Sequence, residues 1–282
     1  MSSSPSSSAR AARVALASRL SDLRKDAGLT GRELALACGW HPSKVSRIQA
    51  AKVPVADADL RAWCAATGAG DQVADLIAAS RAVESMYWEW RRQHQRGMRA
   101  AQEDGFTTLE RSQRCRVYVS NVVPGFFQTA EYATALMRSI TEFQGTPDDV
   151  AEAVEARVAR SRFLYEGNHR FAVLVEEWVL RARIGSAETM AGQLGHLLAV
   201  MPLPSVSLGV IPMTVNRGLW PLEAFYLFDE KHVSVETLTA EVNVSRPSEV
   251  ADYIRAFGEL QKLAVYGVKA RALITSAIDA LG

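Results

Sequence analysis

At 282 residues, 48% hydrophobic and 22% charged, the chain is globular in composition and long enough for two domains. No apolar run reaches the roughly 18 residues of a membrane span, and MSSSPSSSAR lacks the basic start and apolar stretch of a secretory signal. Three scattered cysteines, Cys38, Cys64 and Cys115, argue against a disulfide framework and a zinc cluster. The expected setting is therefore the cytoplasm, in association with the nucleoid if the chain binds DNA, and no metal or cofactor is expected. The net charge of +1 hides an asymmetry: residues 1–80 carry ten Lys/Arg against seven Asp/Glu. That excess is compatible with phosphate binding without establishing it.

Residues 1–9 read as a Ser-rich disordered tail. Val14, Leu16, Leu20 and Leu23 then line one side of a helix ending near Ala27-Gly28. In LTGRELALACG, Thr30 and Glu33 have the spacing of a capping box, in which hydroxyl and carboxylate each satisfy a backbone N–H. Leu34, Ala35 and Cys38 make the buried stripe of a short helix, and Gly39 stands where a left-handed residue ends it. Trp40 plugs the turn. Pro42 suits the first turn of a following helix over about 42–50, where its missing N–H is no loss. That helix buries Val45 and Ile48 and turns Ser43, Lys44, Ser46 and Arg47 outward. Two short helices joined at a glycine form either a helix-turn-helix or a helical hairpin with a basic surface.

The string LTGRELALACGWHPSKVSRIQAAKVPV resembles the phage-repressor, Cro-like (XRE) helix-turn-helix. The match runs through Leu29, Thr30, Glu33, Leu34, Ala35, Gly39, Ser43, Val45, Ser46, Arg47, Ile48, Lys52 and Pro54, and DADLRAWCAATG and DQVADLIAAS resemble the fourth and fifth helices. The resemblance implies an all-α five-helix DNA-binding domain over residues 10–80 that docks on a double-stranded operator. Its DNA contacts are expected among Thr30, Arg32, His41, Ser43, Lys44, Ser46, Arg47 and Lys52. Three positions depart from the pattern: Gly31 where Gln is frequent, His41 where Ser usually caps, and Gln49 where Glu is common.

Residues 80–104 read as a helix leaving this domain, and 81–110 as the connecting segment. Arg91, Arg92, Arg96 and Arg99 fit a solvated face balanced by Glu84, Glu89, Glu103 and Asp104 better than a binding patch. Trp88 and Trp90, two apart, cannot share one helix face. From 111 onward strands and helices mix: RCRVYVS, RFAVLVEE, SVSLGVIPM, AFYLFD and VSVETL read as strands. Between and after them come helices over VVPGFFQTAEYATALM, DDVAEAVEARVARSRFLYEG, SAETMAGQLGHLLAV with a Ser186 cap, PSEVADYIRAFGELQKLAV and KARALITSAI. An α+β domain over 111–282 is expected.

The order of these pieces resembles the sensor-like domain of uncharacterised function that follows a helix-turn-helix in many actinobacterial regulators, the streptomycete WhiJ-like group among them. VVPGFFQTAEYATALM, EARVARSRFLY, VEEWVLRARIGSAETMAGQLGHLL, VSLGVIPM and EVADYIRAFGELQKLA carry the likeness. It implies a transcriptional regulator whose second domain dimerises and senses a signal or binds a small protein encoded by an adjacent gene. The alternative is an antitoxin-like module that sequesters such a partner and binds DNA only to regulate itself.

No phosphate loop, nucleophile elbow or zinc-protease motif is present in the sequence, so an enzyme is not expected. Adjacent Glu176 and Glu177 on a strand point to opposite faces, and the simplest reading has one cap or pair with a nearby Arg and leaves the other solvated. Phe126, Phe127, Tyr132, Trp178, Trp220, Phe225 and Tyr226 are mostly core aromatics. A minority is expected to line an apolar pocket or partner surface with Glu176, Glu177 or Arg181 as polar handles.

Overall fold

The computed structural model describes residues 7–53, 55–82, 87–89, 98–238 and 240–282. The chain divides into two units, one of Met1–Tyr87 with Asn243–Val250 and one of Trp88–Val242 with Ala251–Gly282. Pro54, Arg91, Arg92, Arg96 and Trp90 lie outside the described residues, as does most of the expected tail; the first helix already begins at Ser7.

The first unit is helical, as expected: α1 (Ser7–Asp26), α2 (Gly31–Ala37), α3 (Pro42–Gln49), α4 (Asp57–Thr67) and α5 (Val73–Ala82). Helices this short are marginal alone, so their stability comes from a shared apolar centre. Leu20, Leu34, Val45, Ile48, Leu60 and Trp63 form it, and the Trp63 indole N–H donates to the Leu20 carbonyl at 3.1 Å. Left-handed glycines end the segments: Gly28 closes α1, Gly39 opens the α2–α3 turn and Gly68 caps α4.

The continuous helix expected over 80–104 is not what forms. A three-residue strand, β1 (Tyr87–Glu89), stands within that span, and the next described helix is α6 (Met98–Arg111). The remaining elements are β2 (Arg114–Val119), α7 (Ala130–Gln144), α8 (Val150–Val158), β3 (Arg170–Glu176), α9 (Glu177–Arg181) and α10 (Ala187–Val200). They are followed by β4 (Val206–Ile211), β5 (Phe225–Phe228), β6 (His232–Glu236), β7 (Ala240–Val244), α11 (Pro247–Leu263) and α12 (Gly267–Asp279). The helix read over DDVAEAVEARVARSRFLYEG tightens after Val158 into a 3-10 stretch, Ala159–Leu164, which turns Phe163 and Leu164 into the core. β7 has only two β-branched residues among five, a weak strand signal that the sequence reading passed over.

The strands make one mixed sheet in the order β1-β7-β6-β5-β2-β3-β4. β2 and β4 run parallel to β3, while β5 is antiparallel to β2 and β6 to β5. Strand register and period-two alternation assign the faces. Val117, Val119, Val173, Val175, Leu208 and Val210 share one face, packed with residues of α7, α10 and α12. Tyr118, Leu174 and Phe225 share the other, where Phe257 of α11 meets Phe225. The β4 edge is paired with Val265 through two backbone hydrogen bonds with Val210, of 2.9 and 2.8 Å, and so is not left open.

Candidate nucleic-acid interface

The α2–α3 pair is built by local chemistry. Thr30 N–H donates to the Glu33 carboxylate at 2.7 Å and Glu33 N–H to the Thr30 hydroxyl at 3.2 Å, so the capping box forms in full. These bonds, the one from the Thr30 backbone foremost, hold the Glu33 carboxyl below its ordinary pKa. Gly39, at φ +68°, then allows the reversal that any Cβ would strain. Val45 and Ile48, each 1% exposed, fix the roll of α3. Removing the Thr30 hydroxyl in Thr30→Ala is expected to cost about 1 kcal/mol in denaturant titration, with Thr30→Ser close to wild type.

His41 caps α3, and Pro42 follows at the first helical position. Its Nδ1 accepts from the Ser43 amide at 3.3 Å and lies 2.8 Å from the Ser43 hydroxyl. The imidazole therefore fills the place of the usual Ser, in the tautomer that keeps Nδ1 free to accept.

The orientation of α3 leaves Ser43, Ser46 and Arg47 exposed on one surface, with Thr30 and Arg32 exposed at the start of α2 and Lys52 just after α3. Thr30, Gly31, Arg32, Ser46 and Gln49 border a shallow depression between the two helices. His41 is exposed beside them. Lys44 is placed differently. Its Nζ is 2.6 Å from the Asp59 carboxylate and 4.3 Å from the centre of the Trp40 ring, so it ties α3 to α4. Among the described residues Arg47 makes one long bond, 3.4 Å, from its Nε to the Ser43 carbonyl. Gln49 donates to the Ser21 hydroxyl at 3.2 Å, an interhelical link with no local sequence signal.

The pocket residues expected in the second unit divide into three groups. Phe126, Phe127 and Tyr132 are buried core. Glu176 and Glu177 end β3 and begin α9, and both are buried, so neither is solvated. Tyr118 donates to Glu176 at 2.8 Å, and Arg217, in the connection after β4, pairs with its other oxygen. Arg181 Nε and Nη2 donate to one oxygen of Glu177 at 3.1 and 2.9 Å, while the Met213 amide donates to the other at 3.0 Å. Trp178 and Trp220 are exposed, as is Met213. The two carboxylates thus staple the 212–224 connection to the carboxyl ends of β2 and β3. Arg217, which completes this arrangement, had no signal in its own neighbourhood.

A family described as a domain of unknown function, DUF5753, matches residues 105–276, more than half of the chain. The chain belongs to the DUF5753 family. A helix-turn-helix domain model matches residues 15–77, which covers α2, α3 and the candidate contacts and points to DNA binding in a regulatory role. Neither curated proteins nor solved structures yield a match. Among the described residues, no helix is long and apolar enough to cross a membrane. Within the matched region two polar side chains are internal: Gln128 donates to the Val123 carbonyl at 2.7 Å, and Gln193 to the Phe127 carbonyl at 2.7 Å. Gln193 also accepts from the Thr129 amide at 2.8 Å. Gln128 closes the PGFFQT turn on itself and Gln193 ties it to α10, which explains why polar residues sit in an otherwise apolar run.

Proposed function

We propose that this chain is a cytoplasmic, sequence-specific transcriptional regulator of the XRE, Cro-like type. Its α3 enters the major groove of an operator, and its DUF5753 domain senses a signal. The observation that carries the reading is the surface of α3, where Ser43, Ser46 and Arg47 are exposed while Val45 and Ile48 are locked inward. Arg47 is the side chain best placed to reach a guanine edge or a phosphate. A single module reads few bases, so a homodimer on two half-sites about one helical turn apart (roughly 34 Å) is part of the proposal. The likeness to actinobacterial WhiJ-like regulators supports it. No catalytic role is proposed, because the adjacent carboxylates Glu176 and Glu177 are each saturated by internal donors.

The operator is found by genome-wide footprinting, and binding is then measured by gel shift. Arg47→Ala is expected to weaken binding. Loss of a base contact costs about 1–3 kcal/mol on the cognate site only, whereas loss of a phosphate contact weakens all sequences and flattens the salt slope by about one. Lys44→Ala, by contrast, is expected to act on stability, by about 1 kcal/mol or less for a partly exposed ion pair. Unchanged operator binding by Arg47→Ala together with Ser43→Ala and Ser46→Ala would refute this placement of the recognition helix.

A second reading, an antitoxin-like module that sequesters a small neighbouring protein, is favoured by one observation. Trp178, Met213 and Trp220 are exposed at 43%, 55% and 69% on segments joined through the Glu176 and Glu177 bonds. Co-purification with the product of an adjacent gene that is lost in Trp178→Ala/Trp220→Ala supports it, and capture indifferent to both changes counts against it.

A further inference from the structure

One backbone amide fixes the sense of the hydrogen bonds at the start of α3. The Ser43 N–H can only donate, and it is directed at His41 Nδ1, 3.3 Å away. Nδ1 is therefore the bare nitrogen of the imidazole, and Nε2 carries the ring proton. The Ser43 hydroxyl oxygen lies 2.8 Å from that same nitrogen. A bare nitrogen can only accept, so the hydroxyl gives its single proton to it. The Thr30 hydroxyl is used in the opposite sense: it accepts from the Glu33 amide at 3.2 Å and keeps its own proton.

The Ser43 hydroxyl, exposed on the outer surface of α3, is thus left with lone pairs and no proton to offer outward. Phosphate oxygens, N7 and O6 of guanine and O4 of thymine are all acceptors, and none of them can bond to it. The donors that a side chain meets in the major groove are amino groups, N6 of adenine and N4 of cytosine. A serine with a free rotor takes either kind of partner. One whose proton is spent on a neighbouring imidazole takes a single kind.

We propose that His41 is a positioning residue that makes Ser43 a reader of base amino groups. On the strand that Ser43 faces, adenine and cytosine are accepted and guanine and thymine refused. This rests on reading α3 as the recognition helix. Protonation reverses the pair: a proton added at Nδ1 makes that nitrogen a donor, the Ser43 oxygen accepts from it, and the hydroxyl proton is released towards keto oxygens. The charged groups on the neighbouring elements are otherwise engaged. Glu33 of α2 accepts from the Thr30 amide, Asp59 of α4 holds Lys44 at 2.6 Å, and Arg47 of α3 bonds the Ser43 carbonyl.

The test passes a library of DNA duplexes with a randomised stretch over the full-length protein and counts the bases recovered. At about pH 8 the wild type is expected to show a position where adenine and cytosine are enriched over guanine and thymine about fivefold or more. Ser43→Ala should erase that preference and leave the others. His41→Ala should erase it too, although Ser43 is still present. His41→Asn, whose side-chain oxygen accepts in place of Nδ1, should keep it. At about pH 5 the preference should vanish or invert in the wild type and persist in His41→Asn. A residue that merely capped α3 would weaken binding to every sequence alike. Enrichment of guanine and thymine at the Ser43-dependent position overturns the proposal. So does a preference untouched by His41→Ala, or one that is the same at both pH values in the wild type. Arg47→Ala on the same library keeps the two readings apart. If it weakens binding and no amino preference is found, the recognition helix stands and the role of His41 falls. If Arg47→Ala, Ser43→Ala and Ser46→Ala all leave binding and every preference intact, the placement of the recognition helix falls with it.

Discussion

Glu176→Ala is expected to destabilise the second unit by about 3–5 kcal/mol, the usual cost of stranding one member of a buried ion pair. The side chain of Glu176 is 4% exposed and that of Arg217 19%, and no other partner of Arg217 exists among the described residues. Removing the carboxylate leaves a guanidinium without its counter-charge and removes the acceptor of the Tyr118 hydroxyl. Burial and the Glu176 bond both raise the Tyr118 pKa, so the phenol stays a donor and cannot relieve the loss by ionising. The double variant Glu176→Leu/Arg217→Met should recover part of the loss, because it removes both charges and keeps apolar volume. Urea titration gives the magnitude, and hydrogen exchange should show the weakening in β2, β3 and the 212–224 connection. A loss below about 1 kcal/mol, the range of exposed pairs, would show that the pair is not a staple.

Ile48→Ala is expected to cost the first unit about 2–5 kcal/mol, from lost apolar transfer and the cavity left behind. Ile48 is 1% exposed among Leu20, Leu34, Leu60 and Trp63, and the collapse of that site is limited by the Trp63 indole, which is bonded to the Leu20 carbonyl. The damage should appear as loss of amide protection in α2 and α3 and as weaker operator binding on every sequence. Arg47→Ala should show the opposite pattern, with protection retained and affinity reduced. The pair of variants separates a residue that orients α3 from one proposed to touch DNA.

Much of the first unit was legible because its signals are local. Thr30 and Glu33, Gly39, and Val45 with Ile48 sit within a turn or two of what they control, so spacing alone predicts the cap, the reversal and the buried face. In the second unit the same held for the Ser186 cap, whose hydroxyl accepts from the amide three residues on. Where the fold departs from local sequence signals, the deciding partner is distant. The helix expected through 80–104 gives way to β1, whose place in the sheet depends on β7 some 150 residues later. Glu177 was assigned no partner beyond its neighbourhood, yet it also accepts from Met213.

The sequence by itself determined the α2–α3 motif, the order of most helices and strands, and the roll of α3, because capping, backbone sign and apolar period act over a few residues. Tertiary structure alone decided what the charges do. It folded Lys44 onto Asp59 and Trp40 and buried Glu176 against Arg217. Charge acts through space and is strengthened where water is excluded, so its partners follow from the packing of the sheet and cannot be read from neighbours in the chain.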